Sequence, residues 1–218
     1  YPELMVNKGR VVAGDFDGDG WRDDIAILHA IGPDMGIFVL QSNGSNFTGL
    51  REWGRFSGFD AARITDRVAA GDFNADGKDD IGVIYEHPYN GEYHTSAYVF
   101  RAAADEFVKA PIWWDALDYN AAEATGRVVA GDVDGDGDDD MTLIYRYPSL
   151  TRAHVLLSNR FNKFKYQGNG GWWSRTNAQG FEAGQFTGRV VSGDFEGDGV
   201  GYIGMVQGDN DMIIWALD

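Results

Sequence analysis

Four short acidic segments hold the residues of this sequence that are best suited to chemistry. In each segment, acidic or amide side chains alternate with other residues over five positions. Alternating carboxylates on a tight turn present several oxygen atoms to one side, and a hard cation such as calcium binds six to eight oxygens. Glycine at the sixth position permits the turn without a Cβ clash. The segments start at Asp15, Asp72, Asp132 and Asp194, and their sixth-position glycines are Gly20, Gly77, Gly137 and Gly199.

We call residues 15–24, 72–80, 132–140 and 194–202 loops one to four, and we expect about three of them to bind Ca²⁺. Loop one has one extra residue, so its last ligand is either Asp23 or Asp24; we favour Asp24, which aligns with Asp80. Loop four is degenerate because Tyr202 replaces the last carboxylate. The residue at the seventh position contributes its carbonyl oxygen. The predicted ligands are Asp15, Asp17, Asp19, Trp21 and Asp23 or Asp24; Asp72, Asn74, Asp76, Lys78 and Asp80; and Asp132, Asp134, Asp136, Asp138 and Asp140.

Other interpretations of the acidic loops are weaker. An EF-hand requires Glu at the twelfth position and flanking helices, but apolar residues stand there and the flanks are typical of strands. The chain has no cysteine and its four histidines share no ligand spacing, which argues against zinc. The aspartates of solvated turns can also cap backbone amides. However, three or four carboxylates held close together repel one another strongly without a cation. The twelfth-position residues are Ala26, Val83, Leu143 and Met205.

Composition excludes several functional classes. The 218 residues include 18 Lys and Arg against 34 Asp and Glu, so the formal net charge is −16. Such a chain cannot neutralise a row of phosphates, and we therefore expect no nucleic-acid partner. It is equally unsuited to an anionic membrane surface, and no apolar run approaches the length of a membrane span. No signal peptide is visible and the chain begins at Tyr1, so we expect a processed product of a secreted protein.

The acidic loops recur within a repeat of about sixty residues, since their first aspartates are 57, 60 and 62 residues apart. Each loop follows an Arg-Val-Val-Ala-Gly-like run and precedes short apolar runs bounded by Gly, Asn and Pro, which predict strands. Four short strands per repeat predict an all-β propeller with four antiparallel strands in each blade. A lone blade cannot bury both faces, so blades must pack on one another. The predicted blades are 10–66, 67–126, 127–188 and 189–218 of one domain spanning 1–218, the last one completed by 1–9 if a four-bladed ring closes.

The core Gly-Asp-Phe-Asp-Gly-Asp-Gly at this period resembles the FG-GAP or VCBS-type repeats of secreted bacterial and fungal lectins and of integrin α-subunit heads. The resemblance covers essentially the whole chain. It implies a propeller with calcium in the loop between the first and second strands. The blade number stays open, because the four repeats either close a ring or form part of a seven- or eight-bladed propeller completed by other residues or by another copy. A homo-oligomer is therefore one expectation.

A second repeated feature is aromatic. In an up-and-down blade, the linkers between blades and the turns between strands two and three lie on the face opposite the acidic loops, so these aromatic residues should share one surface. Aromatic rings beside Asp, Asn and Thr suit sugars, because the rings stack on CH faces while polar groups bind hydroxyls. The alternative is that the tryptophans simply pack between blades. The candidate ligand contacts are Trp53, Phe59, Tyr85, His87, Trp113, Trp114, Tyr119, Asn120, Tyr145, Tyr147, Trp172 and Trp173.

These features favour a calcium-stabilised carbohydrate-binding module of a lectin-like kind, with a glycan or an extracellular protein as partner. One alternative is a protein–protein adhesion module similar to integrin α heads. Another is a polysaccharide lyase or its non-catalytic propeller, since some lyases resemble this fold. Catalysis is less favoured, because no nucleophile–base pair and no His/Tyr/Arg cluster is confined to one repeat.

Overall fold

A computed structural model describes residues 10–89, 92–161, 163–167, 171–207 and 213–217. These residues form an all-β structure of four antiparallel sheets, and the sheet boundaries fall inside the four predicted repeats. The first sheet contains β1 (Val11–Gly14), β2 (Asp24–Ile31), β3 (Asp34–Leu40) and β4 (Arg51–Phe56). The second contains β5 (Val68–Gly71), β6 (Asp80–Tyr89), β7 (Glu92–Ala103) and β8 (Glu106–Leu117).

The third and fourth sheets depart from the regular pattern of four strands. In the third, two strands, β12 and β13, both pair with β11 where a single outer strand was expected. The third sheet contains β9 (Val128–Gly131), β10 (Asp140–Arg146), β11 (Leu150–Ser158), β12 (Phe164–Tyr166) and β13 (Trp173–Thr176). Within the described residues the fourth contains β14 (Val190–Gly193), β15 (Tyr202–Gln207) and β16 (Ile213–Leu217).

The four sheets, which we call blades one to four, stand side by side in an arc. Their short first strands lie next to one another in the order β1, β5, β9 and β14. No strand pairing joins blade four to blade one among the described residues, so the closed four-bladed ring is not seen there. Residues 1–9, which we expected to complete blade four if the ring closes, lie outside the described part of the chain. No helix of the described residues is long and apolar enough to cross a membrane.

The hydrophobic core is divided among the junctions between blades. Three buried clusters lie between blades one and two, two and three, and three and four. An arginine at the start of each of the first three blades spans its junction and donates to a threonine of the next linker, which explains why both residues recur. Short 3₁₀ helices at Ala61–Ile64, Ala121–Ala124 and Ala183–Phe186 form part of these linkers. The pairs are Arg10–Thr65, Arg67–Thr125 and Arg127–Thr187.

Candidate functional site

Each acidic loop is folded around its first aspartate. In loop one, Asp15 Oδ1 accepts the N–H groups of Gly18 and Asp19, and Asp15 Oδ2 accepts that of Gly20 at 2.8 Å. Gly20 has φ of +92°, a left-handed conformation that residues with a Cβ rarely adopt. Loops three and four repeat all three hydrogen bonds around Asp132 and Asp194. Loop two has the last two of them around Asp72. These hydrogen bonds and the left-handed glycine explain why Asp at the first position and Gly at the sixth position recur in every loop.

Carboxylates converge in two of the loops. Oxygen atoms of Asp15, Asp17 and Asp19 all lie within 4.8 Å of one another, and so do those of Asp132, Asp134 and Asp136. Oxygens bound to one calcium ion lie about 2.3–2.6 Å from the metal and hence at most about 5 Å apart, so both clusters fit a shared ion.

Loop two contains an amide in place of the central carboxylate, and one of its acceptors lacks a partner. Asn74 Nδ2 donates to Asp80 Oδ2 at 3.1 Å. Asn74 Oδ1 is buried and accepts no hydrogen bond within the described structure. Buried polar atoms are almost always paired with protein, water or ions. An orphaned oxygen inside the predicted ligand set is the arrangement expected if a cation completes loop two.

The last carboxylate of each set stands at the first position of the second strand. Asp24, Asp80 and Asp140 pair in register with the last glycine of β1, β5 and β9. One oxygen of each accepts a backbone N–H from the end of the third strand or from just beyond it, at 2.7–2.9 Å. Asp24 thus occupies the position of Asp80 and Asp140, whereas Asp23 lies one residue earlier. The three donors are Ser42, Ala102 and Ser158.

Burial raises the pKa of these last carboxyl groups. Desolvation is the largest cause, and it raises the pKa of Asp80 and of Asp140 to about 8, with neighbouring carboxylates adding to the effect. Burial also raises the pKa of Asp24. Backbone hydrogen bonds act in the opposite direction but do not outweigh desolvation. Without a cation, Asp80 and Asp140 therefore retain protons near neutral pH, and a bound cation would have to displace them.

Loop four keeps the turn but replaces the last carboxylate. Tyr202 pairs in register with Gly193, the position that Asp140 takes opposite Gly131 in blade three. The Tyr202 hydroxyl donates to Asp198 Oδ2 at 2.9 Å, which satisfies one of the remaining carboxylates internally. This hydrogen bond raises the pKa of Tyr202 to about 12. A phenol hydroxyl therefore stands where loops one to three have a carboxyl group.

The side-chain contacts of three basic residues on the acidic face were not predicted from the sequence. The Arg22 guanidinium bridges two other blades, with Nη2 3.0 Å from Asp79 and 2.6 Å from Asp139. Arg22 belongs to the stretch of loop one that carries the extra residue. This departure from the repeat is the feature of the sequence that could have drawn attention to Arg22. Lys78 donates to the Asp17 carbonyl, and Arg160 donates to the Asp138 carboxylate and the Asp136 carbonyl.

A cavity of about 450 Å³ opens on the opposite face, at the junction between blades two and three. The linkers after blades two and three and the turns between second and third strands supply its lining, in agreement with the predicted separation of the two faces. Asn120, Tyr145 and Tyr147, three of the candidate ligand contacts, meet in this cavity. The lining residues are Tyr93, Asp118, Asn120, Glu123, Tyr145, Arg146, Tyr147, Pro148, Asn177 and Glu182.

The cavity wall is held in place by hydrogen bonds and ring contacts. Tyr145 lies with its ring centroid 4.7 Å from the rings of both Tyr119 and Tyr147. The Tyr147 hydroxyl is 3.0 Å from His154 Nε2, and burial lowers the pKa of His154 to about 4, so this histidine is neutral at pH 7. Asn120 Oδ1 caps a 3₁₀ helix by accepting the Ala122 N–H. The Asn120 amide nitrogen is consequently the atom available to donate to a ligand.

The prediction of ligand contact is wrong for several other candidates, which are core residues. Trp53 and Trp113 are each 2% exposed and pack on Phe107 and Phe164 of the following blade, where a ligand does not reach. Phe59 and Tyr85 are also buried and lie in contact with each other. Trp114 is half-buried against Tyr119 and Tyr166. The tryptophan column therefore mainly fills the junctions between blades.

The remaining tryptophans line a smaller apolar cavity. Trp172 is 48% exposed, and Trp173 packs on Phe181. Both contribute to a cavity of about 210 Å³ between blades three and four. It lies on the far side of blade three from the larger cavity, so the candidate contacts do not form one continuous surface.

His87 belongs to a polar network that sequence reasoning missed. Its Nε2 atom is 2.9 Å from Ser96 Oγ, and its ring stacks on His94 with centroids 4.5 Å apart. His94 Nε2 and Ser96 Oγ both contact Asp115 Oδ1. Ser96 is fully buried and donates to Asp115, so it is not arranged as an activated nucleophile.

Comparison with known proteins gives similarity in solved structures only. No protein-family profile and no curated protein sequence matches the chain. The exotype rhamnogalacturonan lyase YesX is similar at TM-score 0.46 and 14% identity, over 90% of this chain and 38% of that one. The Dos1 propeller is similar at TM-score 0.42 and 10% identity, over 95% of this chain and 44% of that one. The chain thus spans about two-fifths of the length of either structure, and these values are too low to bear on function.

Proposed function

We propose that this chain is a calcium-stabilised binding module whose ligand is a carbohydrate held in the 450 Å³ cavity between blades two and three. The observation that carries the proposal is the meeting of Asn120, Tyr145 and Tyr147 in that cavity, on the face opposite the acidic loops. Tyrosine rings can stack on the CH faces of a sugar while amide and carboxylate groups bind its hydroxyls.

Charge narrows the class of sugar. Three carboxylates, Asp118, Glu123 and Glu182, line the cavity together with one arginine. That arginine, Arg146, already pairs with Glu123 at 2.7 Å. An acidic sugar would meet net negative charge, so the proposed ligand is a neutral or amino sugar.

Calcium has a structural role in this proposal. Loops one to three would hold the ion with their aspartates, Asn74 and the carbonyls at the seventh position, and the bound charge would relieve repulsion among carboxylates. The resemblance of the loops to FG-GAP and VCBS repeats supports this assignment. Extracellular calcium concentrations suit such modules, which is consistent with the proposed secreted location.

Screening on a glycan array in calcium, followed by titration of two variants, tests the carbohydrate proposal. Tyr147→Ala removes a stacking surface and should weaken binding about tenfold, since such contacts contribute about 1–1.5 kcal/mol. Asn120→Asp keeps the cap acceptor but loses the amide donor, and should also weaken binding of a neutral sugar. Phe161→Ala is the matched control, because Phe161 is 81% exposed in a connection on the opposite face. Equal affinity of all three variants and the parent would exclude this cavity.

The absence of binding on the glycan array would also be informative. If no glycan binds while the protein is folded and calcium-loaded, the carbohydrate proposal is wrong. Capture of an extracellular protein that Tyr147→Ala abolishes would then favour the adhesion alternative. Release of unsaturated sugars from a polysaccharide would favour the lyase.

A further inference from the structure

Two blade junctions are closed by the same pair of phenylalanines. Between blades one and two, the rings of Phe16 and Phe107 meet edge to face with centroids 5.5 Å apart. Between blades two and three, Phe73 and Phe164 meet in the same way, also at 5.5 Å. All four side chains are at most 6% exposed. In each pair, the first ring follows the first aspartate of an acidic loop and the second comes from the outer strand of the next blade.

Phenylalanines at the same two positions are exposed in blade four and in blade one, the last and first blades of the row. Phe195 in loop four takes the position of Phe16 and Phe73 and is 58% exposed. Phe47 in blade one pairs with Ser42, the position at which Phe107 and Phe164 pair in their blades, and Phe47 is 52% exposed. Blade four thus exposes the phenylalanine that follows the first aspartate of its loop, and blade one exposes the phenylalanine that packs on such a ring in the other blades.

A polar contact accompanies each phenylalanine pair. The Asp15 N–H donates to Asp79 Oδ2 at 2.9 Å, and the Asp79 N–H donates back to the Asp15 carbonyl at 2.7 Å. Asp72 and Asp139 repeat the exchange at the next junction. Glycine before the first aspartate makes room, because a Cβ on Gly14 would lie 2.9 Å from the Asp79 carboxylate.

The residues that make this polar contact are also present in blades one and four. Asp23 stands in blade one where Asp79 and Asp139 stand in their blades, directly before the second strand. Gly193 and Asp194 in blade four correspond to Gly14 and Asp15. The three described atoms nearest to a Cβ on Gly193 all belong to the Phe195 ring, the first at 3.3 Å, whereas the nearest atom to a Cβ on Gly14 belongs to Asp79 of the neighbouring blade.

We propose that the uncovered face of blade four (Gly193, Asp194 and Phe195) binds blade one (Asp23 and Phe47) of a second copy of this chain. Each end matches the other end and not itself, so the contact is head to tail. Within one copy the described blades do not close on themselves. Two copies related by a twofold axis supply two such junctions and close a ring of eight blades. The new junctions continue the contacts already made between blades.

The mass in solution tests the proposal. The chain of 24.0 kDa should sediment at twice that mass at micromolar concentration. Phe195→Asp and Phe47→Asp should each weaken association at least tenfold. Phe161→Asp, at a more exposed ring away from both ends, should not. Near-ultraviolet circular dichroism verifies that the variants are folded. Mixing Phe195→Asp with Phe47→Asp restores one intact junction and should restore part of the dimer. A parent protein that stays monomeric at all concentrations overturns the proposal.

Cross-linking separates a second copy from closure within one chain. The sequence has no cysteine, so Phe47→Cys and Phe195→Cys introduced together are the only thiols present. Oxidation should produce a covalent dimer on a non-reducing gel. An oxidised monomer of altered mobility would instead show that blade one meets blade four of the same chain, and would overturn the assignment to a second copy.

Discussion

Loops three and four have the same backbone turn but differ in the residue that would complete a metal site. In both, the first aspartate accepts three backbone N–H groups and the sixth residue is a glycine at φ near +90°. They differ at one register position, where Asp140 brings a buried carboxylate and Tyr202 brings a hydroxyl. The conformation of the turn therefore does not depend on the residue that completes the ligand set.

Adding or removing calcium should change the free energy of unfolding, because loops one to three would bind the ion and loop four would not. If each of loops one to three binds calcium with a dissociation constant of about 0.1 mM, 10 mM calcium adds about 2.7 kcal/mol per site to the free energy of unfolding. Thermal melts in calcium and in chelator measure the shift. Magnesium should give a much smaller one, because it requires tighter octahedral geometry. An identical melting temperature in calcium and chelator would contradict all three sites.

A pair of single substitutions should then separate loop three from loop four. Asp140→Ala removes a ligand and also leaves the Ser158 and Val133 N–H groups without their acceptor, so we expect a loss of about 3 kcal/mol in calcium. Asp198→Ala in loop four removes an exposed carboxylate and should cost less than about 1 kcal/mol. Urea denaturation in calcium measures both. Equal losses would mean that loop three holds no more metal than loop four.

Tyr202→Asp should convert loop four into a metal site. The new carboxylate would occupy the register position of Asp140, next to Asp194 and Asp198 in an already formed turn. Isothermal titration should show one additional calcium ion per chain, and stability in calcium should rise by about 1–2 kcal/mol. Tyr202→Phe, which only removes the hydroxyl, is the control and should leave the stoichiometry unchanged. An unchanged stoichiometry in Tyr202→Asp would show that another feature disables loop four.

A further prediction concerns pH in the absence of calcium. The folded pKa of Asp80 and Asp140 is raised to about 8, above the unfolded value of about 3.9. Between these values the folded state binds more protons, so the free energy of unfolding in chelator should fall as pH rises from about 5 to 8. Saturating calcium should flatten this dependence, because both carboxyl groups are then ionised. The control is Asp140→Asn, which should show a shallower slope in chelator; a slope identical to that of the parent would exclude Asp140 as a contributor.

Much of the acidic face could be predicted from the sequence because its determinants are local. The first aspartate, the sixth-position glycine and the start of the second strand lie within ten residues, so spacing alone placed Asp24 beside Asp80 in the alignment. Arg22 could not be assigned, since its partners Asp79 and Asp139 lie in two other blades. Contacts of that kind depend on how blades are arranged, which a repeat pattern does not specify.

The aromatic residues were harder to predict for a physical reason. Both faces of a blade are covered by neighbours, so alternation of apolar and polar residues does not tell which tryptophan faces a junction. Trp113 and Trp114 are adjacent, yet one is buried and the other half-buried. His87 and His94 were within reach of prediction, because the Asn-Gly pair at 90–91 is a strong hairpin signal that places them opposite each other. In the structure, His87 pairs in register with His94.

The exchange of hydrogen bonds between Asp15 and Asp79 joins the start of one acidic loop to the end of the next. The backbone of the first predicted ligand in loop one is thus held by the residue directly before the last ligand of loop two. Melting of one blade deprives its neighbour of these partners, so the array should behave as a row of coupled units rather than as four independent ones. In a single copy, unfolding should therefore begin at blades one and four and spread inward, with blades two and three exchanging their amide hydrogens last.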